Sequence, residues 1–242
     1  MNIAEKILQA ADNTPKVFEA GKKAEYDAFW DTYQTNGERS NYGYAFAYYG
    51  WTEDSFKPKY DMLTVNSIGI FMYSRIKVDL VEYLEKLGIK LEFSSTAASK
   101  AQIFFSSWFT RIGIINVENA ASMAEAFRNM PYLETIDELV VNEVTNFHDT
   151  TFRDCKALKN LKITGSIATT LDLQWCPLTK ASIESVINAL AVSPNISRPT
   201  VTFSLNAVKN AFETSTGAAD GHMSPEWEAL ILKKPAWNIY LV

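Results

Sequence analysis

Phe152-Arg153-Asp154-Cys155-Lys156-Ala157-Leu158-Lys159-Asn160-Leu161-Lys162-Ile163 is the clearest statement of a pattern that fills the middle of this chain. Its apolar positions are Phe152, Cys155, Leu158, Leu161 and Ile163. The same order returns in Phe127, Met130, Leu133 and Ile136, and again in Leu173, Cys176 and Leu178. Phe105, Trp108, Ile112 and Ile114 read as an earlier copy. The leading residues lie 22, 25 and 21 positions apart. A unit of that length cannot bury its own apolar face, so the period predicts a solenoid in which each unit rests on the next.

Working outward, each unit carries a short β-like run: 67–71, 90–93, 113–117, 139–141 and 161–163, with midpoints near 69, 92, 115, 140 and 162. That advance predicts a parallel ladder with one strand per unit. Residues 78–87 have helical spacing and stop at Gly88. Beyond 171–173 the units change character. Residues 179–191 place Ile183, Val186, Ile187 and Leu190 on one helix face. A strand at 200–205 and a short helix from Asn206 to Phe212 follow. Ser224-Pro225-Glu226 then opens another helix, with Ser as cap, Pro at the first position and acid in the first turn. Residues 237–241 read as a last strand. The fold class is therefore α/β: residues 61–242 form one solenoid with a parallel β ladder, irregular short turns in the middle and full helices in the later units.

Two other regions precede it. Residues 1–34 read as helix, with Ile3, Ile7, Ala10, Val17, Gly21, Ala24 and Ala28 on one seam, interrupted at Asp12-Asn13-Thr14-Pro15. The seam suits either self-association as a thin coiled coil or docking on the chain's own solenoid. Residues 35–60 form a connector whose passage Tyr42-Gly43-Tyr44-Ala45-Phe46-Ala47-Tyr48-Tyr49-Gly50-Trp51 is strongly aromatic. It is either a stacking platform or a cap sealing the solenoid's open end; the cap is favoured.

Composition narrows the function. A net charge of −5 over 242 residues argues against nucleic-acid binding, which leaves a basic footprint. No apolar run is long enough for a membrane span, and the first residues lack the basic start and apolar run of a secretory signal. Cys155 and Cys176 hold the same place in consecutive units. Reduced, buried, stacked core thiols are preferred over a disulfide. His148 and His222 have no partners at metal-ligand spacing, so no metal or cofactor is expected. His148, in Asn146-Phe147-His148-Asp149, reads as a solvated or hydrogen-bonded turn residue. No nucleophile elbow, phosphate loop or dinucleotide fingerprint is present, and no catalytic residue is proposed.

Glu125-Ala126-Phe127-Arg128-Asn129-Met130-Pro131-Tyr132-Leu133-Glu134-Thr135-Ile136 and the Phe152 unit resemble bacterial leucine-rich repeats of the surface-protein type. The phrase Val17-Phe18-Glu19-Ala20-Gly21-Lys22-Lys23-Ala24-Glu25-Tyr26-Asp27-Ala28-Phe29-Trp30-Asp31, together with Gly50-Trp51, Phe56-Lys57-Pro58-Lys59-Tyr60 and Trp175-Cys176-Pro177-Leu178, is similar to leucine-rich-repeat proteins encoded by phages and prophages of gut bacteria. The resemblance implies a non-enzymatic protein of the virion, in its tail, baseplate or fibre. It would be assembled in the bacterial cytoplasm and act by binding other virion proteins or a bacterial surface protein or glycan. No residue roles carry over from it.

The candidate binding face is the solvent side of the ladder, with Lys90, Glu92, Asn116, Glu118, Asn142 and Lys162 in line. The candidate assembly element is the N-terminal seam, which would give a homo-oligomer. The alternatives are a host-encoded, intracellular or non-classically exported interaction module and, less favoured, a glycan depolymerase.

Overall fold

A computed structural model of the chain describes residues 62–65, 71–74, 77–86, 88, 90–93, 100–118, 120–143, 145–194, 199–212 and 224–242. The N-terminal seam from Ile3 to Ala28, the aromatic connector at 35–60, and His222 lie outside the described residues. The described residues form a mixed α/β structure in which all strands pair in parallel.

The architecture starts at the turns. Phe71, Phe104, Phe127 and Phe152 stack face to face in one buried column, with ring centroids 5.2, 5.7 and 5.0 Å apart and planes within 12° of parallel. Two residues after each of these rings the backbone turns left-handed, at Tyr73, Ser106, Asn129 and Asp154, with φ between 56° and 63°. Asn and Asp tolerate that conformation through local hydrogen bonding; Tyr and Ser are held there by their neighbours. The turns also pair with one another. Phe104 and Ser106 donate backbone N–H groups to the carbonyls of Ala126 and Arg128, and Phe127 and Asn129 donate to Thr151 and Arg153. Phe71 and Tyr73 bond in the same way to Ile103 and Phe105. The polar backbone of each buried turn is thus satisfied by its successor.

Across the core from the turns lie the strands. β1 (Met62–Val65) pairs with β2 (Lys90–Phe93). β3 (Arg111–Asn116), β4 (Thr135–Val141) and β5 (Asn160–Gly165) form a three-stranded sheet. β6 (Leu171–Leu173), β7 (Thr200–Phe203) and β8 (Asn238–Leu241) form another. Four helices are described: α1 (Leu80–Lys86), α2 (Lys180–Ala189), α3 (Leu205–Phe212) and α4 (Pro225–Ile231). Ser224 caps α4 through the Trp227 N–H, as its sequence signal predicts, and the Thr179 hydroxyl caps α2 through the Ser182 N–H.

Three expectations are corrected. β2 pairs with Met62–Val65; of the strand expected at 67–71, residues 67–70 lie outside the described residues, and Phe71 lies in a turn with its ring in the stacked column. The first well-formed unit begins at Phe104, not Phe105. Phe104, Phe109, Ile112 and Ile115 are buried, whereas Phe105 and Trp108 are half-buried and Ile114 is 64% exposed. Finally, the strands among the described residues form three sheets rather than one unbroken ladder.

Physical causes for the breaks are visible. On the other edge of β3, a single bridge from Asp79 to Arg111 is described before the chain turns into α1, whose Val81 lies against Gly113. After β5, α2 takes the place of a strand. Ser182 Oγ accepts from Leu161 N–H at 2.9 Å and Ser185 Oγ from Ile163 N–H at 2.8 Å. The same hydroxyls donate to the carbonyls of Lys159 and Ile163. Three residues apart on one helix face, the two serines meet the donor–acceptor row of a strand edge.

The exit from α2 is fastened separately. Lys234 donates its ammonium to the carbonyls of Asn188 and Leu190 at the helix C-terminal end, and Trp237 Nε1 donates to Ala191 O at 2.8 Å. A cation there also faces the negative end of the helix dipole, while burial pulls the Lys234 pKa below the ordinary lysine value.

Candidate functional site

The β3–β5 sheet carries two of the six residues expected to form a binding row, Asn116 and Lys162, among other polar side chains on its outer face. β4 sets its layout. The register between β4 and β5 shifts between Ile136 and Leu139, so Asp137 and Glu138 both leave the core while Ile136 and Leu139 stay buried. A regular strand alternates and would send only one of them outward. The bulge therefore gives one carboxylate to each neighbouring strand.

Asp137 reaches β3. Arg111 forms a fork with it, Nε to Oδ1 at 2.8 Å and Nη2 to Oδ2 at 2.7 Å, and extends Nη1 to Asp79 Oδ2 at 3.3 Å. Hydrogen bonds to Asp137 first and Asp79 second raise the Arg111 pKa further above its already high value. Glu138 reaches β5, accepting from Thr164 Oγ1 at 2.8 Å and pairing with Lys162 Nζ at 3.1 Å. The Thr164 hydroxyl, then Lys162, hold its pKa below the usual carboxylate range. Asn160 Nδ2 donates to Thr135 Oγ1 at 3.2 Å, completing a row of contacts between strands. Amid these ties stands the exposed side chain of Ile114, across from Glu138 in the strand register.

The expected binding residues are distributed as follows. Lys162 lies on this face, in the pair just described. Asn116 and Glu118 clasp each other at the end of β3, through Asn116 Nδ2 to Glu118 Oε2 at 3.2 Å and Glu118 N–H to Asn116 Oδ1 at 3.1 Å. Asn142 follows β4 in a turn in which its N–H donates to Thr145 Oγ1. Lys90 and Glu92 sit in β2, hence in a different sheet, so the six residues do not form one line. The reading of the sequence missed Arg111, Asp137 and Glu138. An Asp-Glu pair inside an apolar strand, Ile136-Asp137-Glu138-Leu139, was the available signal for the bulge.

A second polar surface runs over the turns. Glu125 accepts from Gln102 Nε2 at 2.7 Å and pairs with Arg128, whose guanidinium lies 5.7 Å from the Phe105 ring centroid. The Gln102 hydrogen bond, reinforced by Arg128, lowers the Glu125 pKa against the opposing effect of burial. Nearby, Trp108 and Tyr132 meet edge to face at 5.6 Å, with Lys77 Nζ 4.3 Å from the Tyr132 centroid. Trp108, read from the sequence as core, stands at this half-exposed edge.

The cysteines sit inside the turns. Both are buried and free. Cys155 Sγ donates to Phe127 O at 2.8 Å, and Cys176 Sγ to Phe152 O at 3.9 Å, so each thiol addresses the preceding turn. Burial pushes the Cys155 pKa up to about 12 and that of Cys176 well above its usual value. Such thiols stay protonated and are poor nucleophiles.

His148 Nε2 lies 3.2 Å from Ser122 Oγ, which also accepts from Ala124 N–H. The pair links successive turns. Among the described residues no group of three or more His, Cys, Asp or Glu could hold a metal ion, and no helix is long and apolar enough to cross a membrane. No family model, curated protein or solved structure matches the chain.

Proposed function

We propose that this chain is a leucine-rich-repeat-type solenoid that works by binding, as a structural or adhesion component of a phage virion. The observation that carries the architecture is the stacked column Phe71–Phe104–Phe127–Phe152 with its turn-to-turn backbone bonds. It supports units that each complete the core of their neighbour. The virion assignment rests on the resemblance of the repeat and N-terminal phrases to phage-encoded leucine-rich-repeat proteins.

Binding is favoured by the state of the exposed face. Arg111, Glu138 and Lys162 are already tied across strands, which fixes a rigid pattern of charge around Ile114. A preorganised surface loses little side-chain entropy when a partner docks. The lowered pKa of Glu138 is opposite to what a proton donor for glycoside cleavage requires.

The test is mass spectrometry of purified particles from the strain that encodes the chain. Its peptides should copurify with virions through a density gradient, at constant ratio to the other particle proteins. Recovery only in the cell fraction, with none in particles, overturns the virion reading and leaves a cellular interaction module. Ile114→Ser, at a position 64% exposed and outside the Arg111 and Glu138 pairs, should lower binding to the partner without lowering the melting temperature substantially.

A further inference from the structure

The sheets of this molecule are not treated alike at their edges. β5 is covered by the serines of α2, and Val81 of α1 leans on Gly113 of β3. β8 is different. Its Asn238 N–H bonds to Pro199 O and its Val242 N–H to Phe203 O, so alternate residues face β7. By strand alternation the backbone groups of Ile239 and Leu241 face the other way, and no hydrogen bond to them is present among the described residues.

The side chains confirm an unfinished layer. Leu171, Val201 and Ile239 form one cross-strand row and Leu173, Phe203 and Leu241 another. The first two members of each row are buried to within 1% of exposure, whereas Ile239 and Leu241 are only half-buried. Exposed edges are ordinarily guarded by charge, proline or a covering element. Asn238-Ile239-Tyr240-Leu241 has no charge and no proline, and Tyr240 is 54% exposed on the outer face.

We propose that β8 is a self-association edge whose occupant is the β8 of a second copy of this chain, paired antiparallel across a two-fold axis. The parity of the strand selects this register. Ile239 of one copy meets Leu241 of the other, both with outward backbone groups, and they exchange reciprocal N–H to C=O bonds. Tyr240 then faces its own symmetry mate as a non-hydrogen-bonded pair. The surface is self-complementary, and its neutrality leaves no like charges opposed across the axis. The two copies of β6–β7–β8 become one continuous sheet. The proposal depends on neither the N-terminal seam nor the virion reading.

The experiment uses the full chain. Analytical ultracentrifugation should show a concentration-dependent dimer. Tyr240→Lys and Tyr240→Asp should each lose it, since like charges would stand opposed about 4.5 Å apart between Cα atoms. Mixing the two variants in equal amounts should restore it. Tyr240→Cys should form a reducible intermolecular disulfide under mild oxidation, and the control Val192→Cys, more exposed but off the edge, should not. A monomer at every concentration overturns the proposal. So does association unchanged by Tyr240→Lys, or cross-linking through Tyr240→Cys no faster than through the control; either places the contact elsewhere.

Discussion

Cys155 shows how one side chain can serve a stack. Its thiol is fully buried and donates to the carbonyl of Phe127, a backbone acceptor in the preceding turn. The folded state therefore holds the proton until about pH 12, while the unfolded chain releases it near the ordinary value of 9.0. Between those values the folded state binds more protons, so stability falls as pH rises, by about 1.4 kcal/mol per pH unit from this thiol. Cys176 shifts in the same direction and steepens the loss. Below pH 9 neither thiol contributes a pH dependence. The urea midpoint of the native chain should drop faster between pH 9 and 10.5 than that of Cys155→Ser/Cys176→Ser; parallel pH profiles would refute the account. At pH 8 both thiols should react with a thiol reagent only after unfolding.

Among the described glycines, Gly165 has the least room for a side chain. It has φ +99° at the end of β5, and a Cβ there would lie 1.8 Å from Val141 O. Ala at this position must distort the β4–β5 pair, and Gly165→Ala should cost at least about 2 kcal/mol in denaturant unfolding. A loss under about 0.5 kcal/mol would mean that the strand end relaxes freely. Residues such as these also mark where sequence reading reaches its limit. The doublets Phe104-Phe105 and Trp108-Phe109 each offer two aromatics for one core position, and apolar pattern alone does not choose between them. The choice falls to the left-handed turn at Ser106, which turns Phe104 into the stack and leaves Phe105 against Tyr73.

At the scale of elements, the sequence signals were good where structure is local and poor where it depends on a neighbour. Ser224-Pro225 announced α4 because a cap satisfies its own helix, and the apolar face of Ile183, Val186 and Ile187 announced α2. The later strands were legible from their apolar rows. That α2 would seal β5 was not, since Ser182 and Ser185 look like ordinary helix-surface residues until Leu161 and Ile163 are placed beside them. The partners of the β4 bulge were hidden for the same reason: the Asp137-Glu138 pair signals a break in alternation, but not that Arg111 takes one carboxylate and Lys162 the other. Ser182→Ala would leave the buried Leu161 N–H and Lys159 carbonyl without this partner, a cost of about 1–3 kcal/mol. The Ser182→Ala/Ser185→Ala double variant should also bare the β5 edge and aggregate at concentrations where the native chain stays dispersed. Light scattering measures this, and equal scattering from both proteins would show that the hydroxyls do not guard the edge.

For the whole molecule, the parallel sheets and the turn column suggest stability passed from neighbour to neighbour rather than pooled in one centre. In such an array each unit contributes its own term and an interface term with the next. The Phe column allows these to be separated, because Phe104 touches Phe71 and Phe127, whereas Phe71 and Phe152 are separated by two rings. Leu in place of Phe keeps the site apolar and removes the ring stacking. A double-mutant cycle on Phe104→Leu and Phe127→Leu should give a coupling of about 0.5–1.5 kcal/mol, the range for an aromatic pair. The cycle on Phe71→Leu and Phe152→Leu should be additive to within about 0.5 kcal/mol. Each variant must keep the native circular dichroism spectrum and denaturant slope, so that the energies refer to one folded state. Equal coupling in the two cycles would contradict nearest-neighbour stacking and point to a single cooperative core, in which losing any ring loosens all the others.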